Sequence, residues 1–404
     1  MYIARQPIFN SSLEVYGYEL LYRQSGDSSQ FDGVSSQSAT ASVVTGLFES
    51  GAYQIVDNKR AFVNFDAEFL KADLSELIEP QRLIIEVLED VVVDDELIDK
   101  IKMLKKEGYK IALDDFVEDY DDYPLVPYAD IIKFDLIQTP LETLRLSVMK
   151  AIAANKILLA EKIESEDEFK QAKEMGFHLF QGYFFSRPKI IGKTNESKAS
   201  SKVQYIRILN ELKRPEPSYQ ALAEIIEKDV HLAYRVMKVI SSRAGDDLIY
   251  SIKRALTYMG LKEIERWISI LMIQDLGMGK PKELMTVSLI RAKFAEEIAR
   301  HTSMKNVKHE AAMMGLFSTL DAMLDEPMEE ALKDISIPLS IKEALIYEKG
   351  ILQPISELMA AYERGDWQKA DDMCMTIQLN AEILLNDYVE SVKWAGEVVK
   401  LMTD

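Results

Sequence analysis

Polar side chains with the chemistry of metal ligands recur through the first half of the chain, each at or near the end of an apolar run. They are acids, two amides and one lysine: Glu19, Asn64, Glu86 with Glu89, Asp114 with Asp115, Lys133, Glu161 with Glu164, and Gln181. One such residue is typical of ordinary surface, whereas seven positions in series indicate a common site. Charged groups gathered in one place need compensation, and a metal ion is the usual means.

The ligand types in this series narrow the choice of metal. They are carboxylates and amides without cysteine or histidine, which favours Mg²⁺ or Mn²⁺ over zinc or copper. The adjacent Asp114 and Asp115 would let two ions share the site, and two ions about 3.5–4 Å apart suit the hydrolysis of a phosphodiester. Lys133 would then orient the attacking water or balance charge. The residues alone predict a Mg²⁺- or Mn²⁺-dependent phosphoesterase.

The apolar runs that carry these residues predict β-strands. The expected strands span residues 16–23, 60–66, 82–89, 110–116, 129–135, 157–163 and 179–185. Helical patterns lie between several of them, as at residues 94–109, where Gly108 is suited to end the helix. Such alternation predicts parallel strands in a TIM-like (β/α) barrel, with an open doubly wound sheet as the alternative. Because strand ends converge on one face of a barrel, the polar series favours the barrel.

Composition excludes several classes of protein. The 48 basic and 67 acidic residues give a net charge of −19, which argues against nonspecific binding of nucleic acid. The single cysteine, Cys374, excludes an intrachain disulfide and a multi-cysteine metal site. We expect a cytoplasmic protein without a membrane span, because no signal-peptide pattern opens the sequence and no run of about 18 apolar residues occurs.

The second half of the chain follows a different pattern. Residues 191–201 are poor in large apolar side chains and predict a linker. From residue 202 to residue 404, apolar residues recur at the three- and four-residue spacing of helices, with Ser218 suited to begin a helix and Gly260 to end one. The sequence therefore predicts an α/β barrel over residues 1–190 and an all-helical domain over residues 202–404.

The motifs of the first half resemble the EAL domain in order and in spacing. They read Glu19-Leu-Leu-Tyr-Arg23, Phe-Val-Asn64, Glu86-Val-Leu-Glu89, Leu-Asp114-Asp115-Phe116, Lys133-Phe-Asp135, Ala-Glu161-Lys-Ile-Glu164 and Gln181-Gly-Tyr. That family consists of TIM-like barrels that hydrolyse cyclic di-GMP to linear pGpG. The resemblance implies a two-metal site for Mg²⁺ or Mn²⁺, and it implies a homodimer through the barrel as one assembly.

The same resemblance assigns expected roles to individual residues. Metal ligands would be Glu19, Asn64, Glu86, Asp114, Asp115 and Glu161. Catalysis would involve Lys133, Glu161 and Asp115, and Glu89 would brace the loop after the paired aspartates. Substrate contacts would come from Leu20, Arg23, Gln181 and Asp135, with Gln181 also completing the metal site directly or through water.

The chain departs from the EAL pattern at three places. The signature tripeptide reads Glu19-Leu-Leu where the family has Glu-Ala-Leu, and Lys162 follows Glu161 where the family has glycine. After the paired aspartates the family has Phe-Gly-Thr-Gly, whereas this chain continues Phe-Val-Glu-Asp-Tyr120. Loss of both glycines removes backbone freedom there, so binding is expected to be secure and turnover is the open question.

The helical half resembles the HDOD domain, a relative of the HD phosphohydrolases. Ser318 and Thr319 stand where a catalytic HD domain would have its His-Asp pair. The resemblance implies a non-catalytic module that regulates or binds an unknown protein partner. The leading hypothesis is a cyclic di-GMP phosphodiesterase. A cyclic di-GMP receptor that signals without hydrolysis is the second hypothesis, and a scaffold that binds neither ligand nor metal is the third.

Overall fold

A computed structural model describes residues 2–23, 55–67, 70, 79–117, 120–182, 196–244 and 251–403. It divides into two compact units. The first unit comprises Met1–Ser186 together with Ala360–Ala370 and Ala381–Val389, and the second comprises Arg187–Met359, Asp371–Asn380 and Glu390–Asp404.

The first unit is built around a closed barrel whose eight strands are neighbours in chain order. The strands are β1 Tyr2–Asn10, β2 Val15–Arg23, β3 Arg60–Phe65, β4 Leu83–Val87, β5 Lys110–Leu113, β6 Ile131–Asp135, β7 Ile157–Glu161 and β8 Leu179–Phe180. The predicted barrel is confirmed, and each predicted strand corresponds to one of β2 to β8. The last of them is shorter than expected, and its final residues, from 183 on, lie outside the described part of the chain.

The strand that the sequence pattern missed is β1, and it runs antiparallel to both β2 and β8. A tight turn over residues 11–14 returns the chain directly into β2, with the amide of Asn10 donating to the carbonyl of Glu14. A connection this short can join only antiparallel strands. The expected parallel arrangement is confirmed for β2 to β8, whereas β1, which was not predicted, is antiparallel to both of its neighbours.

Three helices of the first unit follow strands β4, β6 and β7 in the chain. They are α1 Asp95–Glu107, α2 Arg145–Ala153 and α3 Glu166–Met175. Helix α1 begins at an aspartate cap, since Asp94 accepts from the amide of Leu97, and it ends at Gly108 with φ of 99° as predicted. Ser165 and Glu168 form a capping box at the start of α3, which satisfies two of the amides that a helix end leaves open.

Two apolar cores follow from the alternation of side chains along the strands. The barrel interior is filled by Ile8, Phe62, Ile84, Ala112, Ile131, Leu159 and Leu179. A larger apolar layer is formed by residues of both the strands and the helices, with side chains such as Leu20, Leu97 and Phe169. Polar side chains on the inward rows consequently lie beyond the apolar filling, towards the carboxyl ends of the parallel strands.

The first unit also contains residues from near the end of the chain. Trp367 stacks on Tyr2 with ring centroids 5.4 Å apart. Tyr362 meets Tyr2 edge-on at 6.0 Å, and its hydroxyl accepts a 3.4 Å hydrogen bond from the amide of Ile3. The unit around the barrel is thus assembled from three separate stretches of sequence.

All described secondary structure from Glu196 onward is helical. The first of these helices, α4, begins at Glu196, inside the segment expected to be a linker. Ser218 caps α5 (Tyr219–Glu227) by accepting from the amide of Ala221, and Gly260 with φ of 80° follows α7 (Ile252–Met259), as predicted. The helices are α4 Glu196–Leu212, α5 Tyr219–Glu227, α6 Val230–Ala244, α7 Ile252–Met259, α8 Leu261–Leu276, α9 Lys282–Arg300, α10 Lys308–Phe317, α11 Leu320–Leu324, α12 Met328–Ala331, α13 Leu339–Tyr347, α14 Gln353–Arg364, α15 Trp367–Ile377 and α16 Leu384–Thr403.

None of the helices in the described ranges has the length and the apolar character that crossing a membrane requires.

Candidate functional site

A buried lysine lies at the centre of the predicted site. The side chain of Lys133, on β6, is 1% exposed, and four carboxylates from four other positions around the barrel surround its ammonium. The Nζ atom lies 2.7 Å from Glu86 Oε1, 2.6 Å from Asp114 Oδ1, 2.9 Å from Glu161 Oε1 and 3.8 Å from Glu19 Oε1. The structure therefore brings together four acids that the sequence placed on separate strands.

Strand register sets the level at which these side chains lie. Asn64 on β3 is directly opposite Glu86 on β4, and Asp135 on β6 is opposite Glu161 on β7. Asp114 comes immediately after β5, where its amide still donates to the carbonyl of Val87 at 3.0 Å. Because parallel neighbours advance together, residues at the ends of these strands form one layer.

Gln181 is fixed by hydrogen bonds on both sides. Its Nε2 donates to Glu19 Oε2 at 2.6 Å and to Gln6 Oε1 at 3.1 Å. Gly182 follows at φ of 152°, and a Cβ there would lie 2.2 Å from the backbone nitrogen of Ile163, so only glycine permits this close approach of the two strand ends. Gln6 escaped the sequence analysis because the strand that carries it, β1, was not predicted.

A second group of charges adjoins the first. Oxygen atoms of Asp114, Asp115 and Glu161 lie within 4.8 Å of one another, the spacing of ligands that can share a cation. Asp115 has φ of 36°, in the left-handed region. Lys162 follows Glu161, and its Nζ lies 2.5 Å from Asp135 Oδ2 and 4.0 Å from Asp115 Oδ2.

The electrostatics of the cluster follow from burial. Burial raises the pKa of Glu86 well above its usual range and raises the pKa of Glu161 to about 8. Burial and the neighbouring Asp114 also raise the pKa of Asp115. Burial opposes a charge on Lys133, but the surrounding carboxylates, Glu161 foremost, hold the pKa of its ammonium well above the usual value. A divalent cation that binds these acids therefore has to displace protons from them.

Three buried acceptors show that the residues fit a divalent cation. Asn64 Oδ1, Glu86 Oε2 and Gln181 Oε1 have no hydrogen-bond partner among the described residues. Buried acceptors are normally satisfied, and an unpaired one costs free energy. Together with the acids around Lys133 they form a set of hard oxygen donors, which suits ions such as Mg²⁺ and Mn²⁺.

Comparison with known proteins identifies the family to which the chain belongs. Residues 65–188 match the EAL domain and residues 200–382 match the HDOD domain. The chain is 34% identical over 99% of its length to uncharacterized protein YuxH of Bacillus subtilis, of which it covers 99%. The chain is a member of the EAL–HDOD family. A second relative is the cyclic di-GMP phosphodiesterase CdgJ of Vibrio cholerae, 30% identical over 99% of this chain and 94% of that protein.

Two solved EAL-domain structures are also similar to this EAL–HDOD chain. An EAL domain protein from Listeria monocytogenes is 20% identical with a TM-score of 0.39, covering 46% of this chain and 87% of that one. The YkuI protein of Bacillus subtilis, solved with cyclic di-GMP and calcium, is 22% identical with a TM-score of 0.39, covering 61% of this chain and 69% of that one.

Three further residues predicted for the barrel site are Leu20, Arg23 and Glu89. Leu20 is fully buried in the layer that contains residues of the strands and the helices, because it alternates with the inward-facing Glu19; we therefore leave it out of the substrate contacts. Arg23 is the last residue of β2. Glu89 is exposed, and its charge contributes to the raised pKa of Asp115.

The loop after Asp115 is described only in part. Val117 is 56% exposed, and Glu118 and Asp119, which stand where the family has threonine and glycine, lie outside the described residues. Further along, Asp121 forms an ion pair with Lys150 of α2. The ion pair of Asp121 thus holds this part of the loop against α2.

Ser318 and Thr319, the two residues expected to stand in place of HD ligands, form hydrogen bonds within the helical unit. The hydroxyl of Ser318 donates to the carbonyl of Gly315 at 2.7 Å and accepts from Arg291 Nη1 at 3.1 Å. The hydroxyl of Thr319, which is fully buried, bonds with that of Ser288. These bonds give both residues a structural role in joining the end of α10 to α9.

Proposed function

We propose that this protein hydrolyses cyclic di-GMP to linear pGpG with two divalent cations, Mg²⁺ or Mn²⁺. The observation that carries the proposal is the ring of carboxylates around Lys133, with Asp115 and unpaired amide oxygens beside it. The near full-length similarity to CdgJ, which is named a cyclic di-GMP phosphodiesterase, supports the choice of substrate.

In this proposal, the oxygens of the cluster hold the metals. Glu19, Asn64, Glu86 and Asp114 would bind the first ion, and Asp115 would bridge to the second, with Glu161 completing the set. The ions, when bound, would supply Lewis-acid chemistry that activates water and stabilises charge on the phosphate oxygens.

The remaining groups orient and stabilise. The Lys133 ammonium is buried and held by carboxylates, so it would act as a fixed donor and positive charge toward the attacking water. Gln181, with Nε2 committed to Glu19 and Gln6, presents only its Oε1 as a free acceptor among the described contacts. Arg23, at the end of β2, is proposed to meet a substrate phosphate, since arginine matches phosphate geometry. Asp135 would support this layer from β6, because its Oδ1 accepts from the amide of Ile137 at 2.7 Å.

A receptor that binds cyclic di-GMP without hydrolysis is the second candidate. The sequence after Asp115 favours it, because Val117 stands where the family has glycine and Asp115 itself has a left-handed backbone. Errors of about 1 Å in positioning can cost about a hundredfold in rate.

The test is hydrolysis by the full chain. Purified protein is incubated with cyclic di-GMP and Mn²⁺, and the linear product is measured by chromatography; binding is measured in parallel with Ca²⁺. The proposal expects linear product from the native chain and none from Glu86→Gln, with native hydrolysis retained by the control Glu142→Gln, which changes an exposed acid of the same unit. Binding without product in the native chain would establish the receptor instead.

For the rest of the molecule, we propose that the HDOD part is a non-catalytic module that regulates the barrel or binds a protein partner. We further propose a cytoplasmic location and a homodimer through the EAL barrel. A separate phosphohydrolase activity would contradict the first of these, because Ser318 and Thr319 are used in bonds within the fold.

A further inference from the structure

Lys162 adopts a backbone conformation that its side chain does not favour. Its φ is 55°, in the left-handed region, which glycine enters at no steric cost and a residue with a Cβ does not. The position directly follows Glu161, the last residue of β7. A lysine in such a conformation, beside the candidate metal ligands, indicates that its side chain has a function there.

A rigid partner directs the Lys162 ammonium towards the site. Although half of the side chain is exposed, its Nζ lies 2.5 Å from Asp135 Oδ2. Asp135 is 3% exposed, and its other oxygen accepts from the amides of Ile137 and Gln138 at 2.7 and 3.3 Å. This fixed carboxylate holds the ammonium 4.0 Å from Asp115 Oδ2.

The charges around the site give this position a consequence. Six carboxylates and two ammonium groups form the cluster: Glu19, Glu86, Asp114, Asp115, Asp135 and Glu161, with Lys133 and Lys162. With all of them ionised, six negative charges against two positive ones leave −4, which two divalent cations balance. Lys133 lies inside the first group of acids, whereas Lys162 lies beside Asp115, the proposed ligand of the second ion.

We propose that Lys162 sets the affinity of the second metal position, as a built-in cation that competes with the ion held through Asp115. The inference rests on the proposed two-metal function. With Lys162 in place, the second ion binds more weakly than the first, so that occupancy of the complete site depends on the concentration of the free cation.

The experiment is a Mn²⁺ titration of the full chain, with free Mn²⁺ followed by electron paramagnetic resonance. The native chain is expected to show a tighter and a weaker class of bound ion. Lys162→Met should strengthen the weaker class by about tenfold, or about 1.4 kcal/mol, a modest effect because the half-exposed charge is partly screened by water. Lys162→Gly, which suits the left-handed backbone and thus guards against misfolding, should do the same, and Lys162→Arg should keep the native affinities.

Lys170→Met is the matched control, because it removes an exposed lysine that pairs with Glu166 in the same unit. Unchanged affinity of the weaker class in both Lys162→Met and Lys162→Gly, or an equal change in Lys170→Met, would overturn the inference. A single Mn²⁺ in the native chain and in every variant would also overturn it. The proposed hydrolysis fails separately: if the affinities shift as expected but cyclic di-GMP stays intact, the role of Lys162 stands and the enzymatic function does not.

Discussion

Replacing Glu161 by glutamine should lower by about one the number of protons that the protein releases when it binds a divalent cation at pH 6.5. Burial raises the pKa of Glu161 to about 8, so at pH 6.5 the carboxyl holds about 0.97 of a proton before any cation binds. A carboxylate that ligates a metal must be ionised, so binding releases that proton. At pH 9.5 the same group holds only about 0.03 of a proton, and the release should vanish.

The assay is calorimetric titration with Mn²⁺ in buffers of different ionisation enthalpy, which counts the protons released at saturation. The native chain should release about one proton more than Glu161→Gln at pH 6.5, and the two should agree at pH 9.5. Other acids with raised pKa values, such as Glu86, contribute to both proteins and cancel to first order in the difference. Glu142→Gln is the control and should release as many protons as the native chain.

The same pKa predicts how stability depends on pH when the cations are removed. The folded-state pKa of Glu161 lies above the unfolded value, so its contribution to stability is full below about pH 4.5 and is lost as the pH rises towards 8. The loss is at most about 5 kcal/mol, because a tenfold change in a protonation equilibrium corresponds to about 1.36 kcal/mol. In a chelator, urea unfolding of the native chain should therefore weaken over this range more than that of Glu161→Gln. In the calorimetric titration, a difference near zero at pH 6.5 between the protons released by the native chain and by Glu161→Gln would refute the reasoning. A difference that persists at pH 9.5 would refute it as well.

Substitutions at the candidate metal ligands, changes in the loop after Asp115 and loss of Trp367 should each have a separate effect. Glu86→Ala and Asp114→Asn should each abolish Mg²⁺- or Mn²⁺-dependent hydrolysis while the circular dichroism spectrum stays native; cleavage at the native rate would remove that residue from the site. Replacing residues 117–119 by Gly-Thr-Gly should raise kcat more than it changes the Kd for cyclic di-GMP, and an unchanged kcat would show that this loop does not limit turnover. In a chain that ends at residue 193, the free energy of unfolding of the barrel in urea should be lower by roughly 2–4 kcal/mol, because the stacking of Tyr2 on Trp367 is lost. Equal stability would contradict this.

Much of the barrel could be predicted from sequence because its strands are apolar runs with a polar residue near the end. Parallel strands buried on both faces read as continuous hydrophobic segments, and the convergence of their ends brings Glu86, Asp114 and Glu161 around Lys133 as expected. Strand β1 escaped because Arg5, Gln6 and Pro7 interrupt its apolar pattern. Gln6 was missed together with β1, because a glutamine by itself gives no signal that it will pair with Gln181.

Other features depend on contacts that no local pattern encodes. The left-handed backbone of Lys162 and the reach of its ammonium to Asp135 are set by the positions of two neighbouring strands. The inclusion of Ala360–Ala370 in the first unit follows from the packing of Trp367 and Tyr362 on Tyr2, across most of the chain. Periodicity finds the helices to which such residues belong but not the surfaces on which they rest.

The three-part composition of the first unit has a consequence for how the protein is made. Strand β1 is synthesised before Trp367, which follows about 360 residues later, a delay of about 20–70 s at 5–20 residues per second. During that interval the ring of Tyr2, which is 1% exposed in the finished fold, has no Trp367 to cover it. The nascent barrel therefore carries the ring of Tyr2 without its stacking partner until Trp367 has been synthesised.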